Sequence, residues 1–443
     1  MLLLAMAAPS PATVVNLRIE GDWRIRVTAG TLKVGRATVR VPTDAVLAVA
    51  PATRLQVRDE RYDRVPPYAP NAAGWTKGER LKALITFETT GPDLLVPGTL
   101  VLKSGEGDAP KYERGRDFEV DDRWGTFGRL QGRIGENQPV WADYDCGLHR
   151  IDSIVVDRTG KVSIVEGKPH NATPAPPAVA AGQTRIANLW IPARLERLTD
   201  ENLYPITEPA YQAPRAAKPV AETLLPRTWA KLQSGEPLSV LAWGDSVTAG
   251  GQASDAAHQF QARFVAMLRE RFPKAKITLT TVGWGGRNSD SFLNEPPSSE
   301  YNFERAVLAR KPDLIVMEFV NDAWMTPEMV ETKYGYLQKR FGEIGAEWII
   351  VGPHFVWPEW MGSKTVKIEK DPRPYVAGIR AFAKRHNVAL ADTGLRYAHL
   401  VKEGIPYITL MCNSLNHPND VGHEMFALSL MELFGGPAAK PGR

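Results

Sequence analysis

Leu238-Ser239-Val240-Leu241-Ala242-Trp243-Gly244-Asp245-Ser246-Val247-Thr248-Ala249-Gly250-Gly251 is the stretch that decides how the second half of this 443-residue chain folds. Residues 238–243 form a short apolar run, bounded before by Gly235 and Pro237, and read as a buried strand. The run stops abruptly at Gly244-Asp245-Ser246. A serine just past the carboxyl end of a buried strand stands where open α/β sheets place their ligands. The small residues 248–251 let a loop turn closely around whatever binds there. Alone, Gly-Asp-Ser is a common tripeptide and reads equally well as a polar turn.

Downstream, apolar strand patterns alternate with helical ones. Strands are expected at 277–282, 314–319, 348–351 and 388–391. Helices are expected at 255–271, 303–310, 375–386 and 420–433, with 332–344 inside a longer one. Such alternation predicts an α/β domain of three layers, with five parallel strands and helices on both faces. Loops after the strand ends then converge on one edge.

Three of those loops carry chemistry. Gly283-Trp284-Gly285-Gly286-Arg287-Asn288 follows the second strand, and Phe319-Val320-Asn321-Asp322 ends the third. Asn416-His417-Pro418-Asn419-Asp420-Val421-Gly422-His423 precedes the last helix. Each alone reads as a structural turn, but together they supply serine, glycine, asparagine and histidine in that order. The region from about Pro226 to Gly435 resembles the SGNH (GDSL-type) hydrolase superfamily. The resemblance implies that Ser246 is the nucleophile and His417 the base. It implies an oxyanion hole from the N–H groups of Ser246 and Gly286, with Gly285 the neighbouring option, and the Asn321 amide. Two positions depart from the family pattern. Phe319 stands where a glycine is usual, and Ser414 stands where an acid usually precedes the histidine by three residues.

The residue types suit ester chemistry. A nucleophile needs a base for its proton and donors for the developing oxyanion. An asparagine offers two uncharged N–H donors. His417 also needs an orienting partner at Nδ1. Candidates are Ser414 or Asn413, a backbone carbonyl, or Asp392 at the end of the fifth strand. The Gly-Pro-His-Phe-Val-Trp-Pro-Glu-Trp loop at 352–360 reaches the same edge, and its Trp357 and Trp360 are candidates for substrate contact. His423 lies inside the last helix and reads as structural.

The first half is strand-like. Residues 23–27 alternate with period two, and 31–34, 37–41, 81–87, 100–102, 118–120 and 186–191 are further strand candidates. Residues 154–156 and 162–165 flank Asp157-Arg158-Thr159-Gly160, a hairpin signal. This predicts an all-β, sandwich-like accessory domain, with carbohydrate binding as its leading functional option. Residues 98–165 are similar in order of features to β-modules of phage tails and other surface proteins. Trp75, Trp124 and Trp141 there read first as core. Proline-rich segments at 170–177 and 205–226 read as linker. The expected domains are an apolar leader at 1–12, an all-β domain at 13–215 and the hydrolase at 216–443.

Composition bounds the partners. A net charge of +4 with no long basic run argues against nucleic acid, and no apolar run approaches a membrane span. The leader, Met-Leu-Leu-Leu-Ala-Met-Ala-Ala, has an Ala-x-Ala-like end but no basic start. It points to a secreted or periplasmic protein, with a cytoplasmic one as the alternative. Cys146 and Cys412 form neither a metal cluster nor a disulfide framework, and no metal or cofactor is expected.

The resemblance and the accessory domain together imply a serine esterase that removes a short acyl group, acetyl foremost, from a carbohydrate. The alternatives are an SGNH-type lipase or phospholipase, and a non-catalytic glycan-binding or surface-attachment protein with a decayed esterase domain. An α/β-hydrolase elbow, Gly-x-Ser-x-Gly, does not match around Ser246. Residues 283–286 lack the dinucleotide pattern Gly-x-Gly-x-x-Gly.

Overall fold

The apolar run after Glu236 is strand β1, Pro237–Gly244, in a computed structural model that describes residues 14–437 except 36, 209, 212 and 214–216. The leader at 1–12 lies outside the described residues. Four more strands follow: β2 Lys276–Gly283, β3 Leu314–Glu318, β4 Glu347–Gly352 and β5 Ala389–Asp392. All pair in parallel, in the order β2-β1-β3-β4-β5. Every residue of β3 and β4 is buried, which is why both read as continuous apolar runs.

Five helices matter most: α1 Pro226–Ser234, α2 Phe260–Arg271, α3 Pro327–Glu343, α4 Pro374–His386 and α5 Asp420–Leu433. On one face Trp243, Met317 and Ile350 of the sheet meet Tyr334, Leu337 and Phe341 of α3 and Ile379 and Phe382 of α4. Against the other face α2 and α5 pack through Phe260 on Phe426, 5.3 Å apart, and Phe264 against Phe434 just past α5, 5.6 Å apart. The three expected layers are present.

Boundaries shift where caps decide. The helix expected from Asp255 begins at Phe260, because Asp255 instead accepts His258 N–H and closes a 3₁₀ turn, Ala256–His258. The helix around 332–344 starts earlier, after Thr326, whose hydroxyl accepts Met329 N–H. Residues 303–310 break into a short α-helix, Phe303–Ala306, and a 3₁₀ turn, Leu308–Arg310.

The chain divides into two compact units: Met1–Ala210 with Leu400–Thr409, and Tyr211–His399 with Leu410–Arg443. In the first unit the described strands form small antiparallel sheets of two to four strands. The expected hairpin is there, pairing Ile154 with Ile164 and Val156 with Val162 around an Asp157 whose carboxylate accepts two turn N–H groups. The 81–87 region does not form the expected strand. Residues Lys82–Leu84 make a 3₁₀ turn and only Ile85–Thr86 extends. Strands that were not expected include Arg54–Tyr62 and Val140–Gly147, which pair with each other. Trp124 is buried against Trp75 at 4.9 Å, so both pack as core-type rings. Residues 400–409 belong here through specific bonds. Asn188 Nδ2 donates to Gly404 O at 2.7 Å, Thr207 N donates to Lys402 O at 2.9 Å, and Trp190 meets Tyr407 edge-on at 5.9 Å.

Candidate active site

Strand order reverses at β1, which has β2 on one side and β3 on the other, so ligands are expected outside the carboxyl ends of these strands. Ser246 lies there, 9% exposed. The turn that carries it needs Gly244, since a Cβ at that position would sit 2.1 Å from both Glu318 O and Thr248 Oγ1. His417 arrives from the loop before α5, and its Nε2 lies 2.8 Å from Ser246 Oγ. That is hydrogen-bond reach for a nucleophile and its base.

The loop after β2 turns at Trp284–Arg287, with Arg287 N donating to Trp284 O at 3.3 Å. Gly286 holds φ +70° in this turn, a conformation that favours glycine. Gly285 is the one nearer the serine, its would-be Cβ 3.9 Å from Ser246 Cβ. The N–H groups of Ser246, Gly285 and Gly286 donate to no acceptor among the described residues. Asn321 sits just past β3. Its Nδ2 gives one hydrogen to Arg287 O at 3.1 Å, which leaves the other available.

Three carboxyl groups, Asp245, Glu318 and Asp322, are fully buried beneath these loops. Asp245 accepts Val247 N–H at 3.0 Å and Asn321 N–H at 2.9 Å. Glu318 accepts Val320 N–H at 3.0 Å and the Thr248 hydroxyl at 3.1 Å. Each acid thus reaches across to the other's loop. Asp322 accepts both N–H and hydroxyl of Ser289 at 3.0 Å, tying the third loop to the second. Burial pushes all three acids up. Asp322 rises to about 7, and the charge of Asp245 adds to the rise of Glu318. Glu318 and Asp322 were not anticipated as site-building residues. The only signal was an acid closing an otherwise apolar strand.

Phe319, the departure from glycine, has φ −143°, an extended backbone open to any residue. Its ring is buried against Trp243 at 4.9 Å and Phe292 at 5.8 Å, so it fills core rather than obstructing the site.

Around His417 the candidates divide. Asn413 is buried, and its Oδ1 accepts the N–H groups of Leu415, Asn416 and His417 at 3.1, 3.0 and 3.2 Å. Its Nδ2 faces His417 Nδ1 at 3.5 Å. Ser414 is buried at φ +62°. Asp392 bonds Arg380 at 2.7 and 3.2 Å and has no hydrogen bond to His417. His354, from the loop after β4, is buried and supports the histidine loop from behind. Its Nε2 lies 2.7 Å from Asn416 O, and burial lowers it to about 3, so it is a neutral donor. His423 is buried and parallel to Phe260 at 6.3 Å, a packing role.

Trp357 N donates to Leu415 O, which ties the tryptophan loop to the histidine loop. Trp357 is half-buried and Trp360 is 45% exposed, edge to face at 5.8 Å. Trp324, three residues past Asn321, is 51% exposed and was not anticipated. Among the described residues no three His, Cys, Asp or Glu side chains are grouped as metal ligands, and no helix is long and apolar enough to cross a membrane.

The GDSL-like Lipase/Acylhydrolase family model matches residues 242–425, which contain all four of these positions. This region is a GDSL-like lipase/acylhydrolase domain. No curated protein matches the chain. Among solved structures, the chain is similar to a two-domain esterase (CEX) active on acetylated mannans, at 22% identity and TM-score 0.38. That match covers 49% of this chain and only 55% of the other, so the chain spans about half the length of that relative. Axe2, an acetylxylan esterase from Geobacillus stearothermophilus, matches at 20% identity and TM-score 0.36, over 45% of this chain and 94% of that one. A member of the lipolytic protein G-D-S-L family from Veillonella parvula matches at 16% identity and TM-score 0.35, over 44% and 98% respectively.

Proposed function

We propose that the GDSL-like domain is a serine esterase that removes acetyl groups from a carbohydrate. The observation that carries the esterase reading is the 2.8 Å approach of His417 Nε2 to Ser246 Oγ, with the main-chain N–H groups of Ser246, Gly285 and Gly286 without acceptors among the described residues. Ser246 Oγ attacks the ester carbonyl as Nε2 takes its proton. The carbonyl oxygen becomes an oxyanion facing Ser246 N–H, the Gly285–Gly286 N–H groups and the remaining Asn321 hydrogen. The imidazolium returns its proton to the leaving alkoxide and the sugar departs. Water, deprotonated by the same nitrogen, then attacks the acetyl-serine, and acetate leaves.

A sugar as the leaving group is supported by Trp324 and Trp360, exposed on the loops after β3 and β4, since flat exposed rings suit sugar faces. Export, suggested by the apolar leader at 1–12, belongs to the same proposal.

One observation favours a second reading, a decayed esterase that binds glycan without hydrolysing it. The side chain facing Nδ1 at 3.5 Å is the neutral amide of Asn413, which puts no carboxylate charge beside the imidazolium that acyl transfer forms. Acetate release from a panel of acetylated polysaccharides, wild type against Ser246→Ala, separates the two. Release lost in the variant supports the esterase. Glycan binding with no release in either supports the second reading.

A further inference from the structure

Arg287 differs from the other charges near the site. Its guanidinium carbon lies 4.9 Å from the centroid of the Trp284 ring. Trp284 is stacked on Tyr301 at 4.3 Å with planes 8° apart, and both rings meet the buried Phe292 edge-on. The cation therefore rests on a stack of rings rooted in the core. Its main chain is held as well, because Arg287 O accepts the Asn321 amide beside the oxyanion donors. Arg287 is exposed, and among the described residues no carboxylate pairs with it. A neighbouring cation shows the contrast. Lys333 lies 5.2 Å from the Trp324 ring and is engaged by Asp290.

The contact with Trp284 engages the flat face of the guanidinium and leaves its in-plane N–H donors without an acceptor among the described residues. The three carboxyl groups below are buried and bonded to other partners, so they do not serve as its counter-ions. What remains is a guanidinium whose donor fork matches a carboxylate, held in place before any ligand arrives. Holding it there removes part of the ordering cost of binding.

We propose that Arg287 is an anion subsite, and that the ester substrate is carried on a uronic-acid-bearing glycan whose carboxylate pairs with the guanidinium. In naming the substrate this rests on the esterase reading above, but the binding site itself can be tested without turnover.

The probe is pentagalacturonate, titrated calorimetrically against the full chain, with its methyl-esterified form as the uncharged control. Wild type should bind the free acid about tenfold more tightly than the methyl ester, the scale of one charge-assisted hydrogen-bonded pair near the surface. Arg287→Gln should bring the ratio to about one, and Arg287→Lys should keep only part of it, because lysine lacks the fork. Equal affinity in wild type, no binding of either probe, or a preference that survives in Arg287→Gln would each overturn the proposal. Acetate release is scored separately. Its absence alongside an Arg287-dependent preference would remove the esterase reading and leave the subsite standing.

Discussion

Asn413 turns its amide nitrogen, not its oxygen, toward Nδ1 of His417, at 3.5 Å. The oxygen is committed to three main-chain N–H groups, which fixes the orientation of the amide. In sequence, the missing family acid aligned with Ser414. In space, Asn413 is a side chain that faces Nδ1 of the imidazole. Asn413→Asp should therefore put a carboxylate oxygen toward that nitrogen, and Ser414→Asp is its comparison. A carboxylate there stabilises the imidazolium formed in acyl transfer, so kcat should rise. It also favours the protonated ring, so the acidic limb of the kcat/KM profile should move to higher pH. A pH–rate profile of both variants against wild type measures this. An Asn413→Asp profile that overlays wild type would remove position 413 as the orienter.

In the proposed mechanism Asn321 is a side-chain donor to the oxyanion, and Asn321→Ala removes it. The main-chain bond of Asn321 to Asp245 survives the change, so the fold of the loop is kept. Loss of one such donor lowers kcat by roughly 10²–10³ with KM little altered. Steady-state kinetics on p-nitrophenyl acetate give the answer, and an unchanged kcat removes Asn321 from the site.

Asp322 predicts a pH dependence of stability. Its folded value of about 7 lies above the roughly 3.9 of an unfolded aspartate. The neutral carboxyl is thus favoured in the fold. Its stabilising contribution is complete below about pH 4 and is lost as pH rises toward 7. Asp322→Asn cannot ionise, so its Tm relative to wild type should climb between about pH 5 and 8. Thermal unfolding across that range measures it. Parallel Tm–pH curves would mean that Asp322 does not titrate there.

Glu318 is pushed up by burial and by Asp245, so it works as a neutral acceptor for Thr248 and Val320. Glu318→Gln keeps an acceptor of the same reach and should leave Tm near that of wild type at neutral pH. Glu318→Leu leaves a buried hydroxyl and a buried N–H without partners, at about 1–3 kcal/mol each. The leucine variant should melt several degrees lower and lose kcat, because the Thr248–Glu318 bond between the first and third loops is gone. Equal melting of the two variants would show that the bonds to Glu318 do not matter.

Much of the second unit was legible because its central strands are buried apolar runs and its loops follow immediately. Ser246, Gly285, Gly286 and Asn321 each follow a strand, and His417 stands in the loop before α5. Three kinds of feature escaped. Buried acids such as Asp322 carry no hydropathy signal, since their cost is met by hydrogen bonds from residues far away in sequence. Asn413 and Ser414 could not be told apart, because the choice depends on which one the loop turns toward the ring, and Ser414 takes the left-handed backbone. In the first unit Val140–Gly147 alternates buried and half-buried residues, but acids at Asp143 and Asp145 interrupt the apolar reading. Its partner Arg54–Tyr62 is mostly exposed and charged, and that masks a strand.

Residues 400–409 belong to the first unit yet are encoded about 190 positions after the rest of it. On a ribosome the amino-terminal part emerges first and ordinarily folds first. Here Asn188 must wait for Gly404, Trp190 for Tyr407 and Thr207 for Lys402, until residues 211–399 have been made. The first unit thus reaches its final form only after the ten residues 400–409 have emerged. A chain stopped near Ala210 would lack these closing contacts, and a chain expressed from Tyr211 onward would carry a ten-residue segment whose neighbours were left behind.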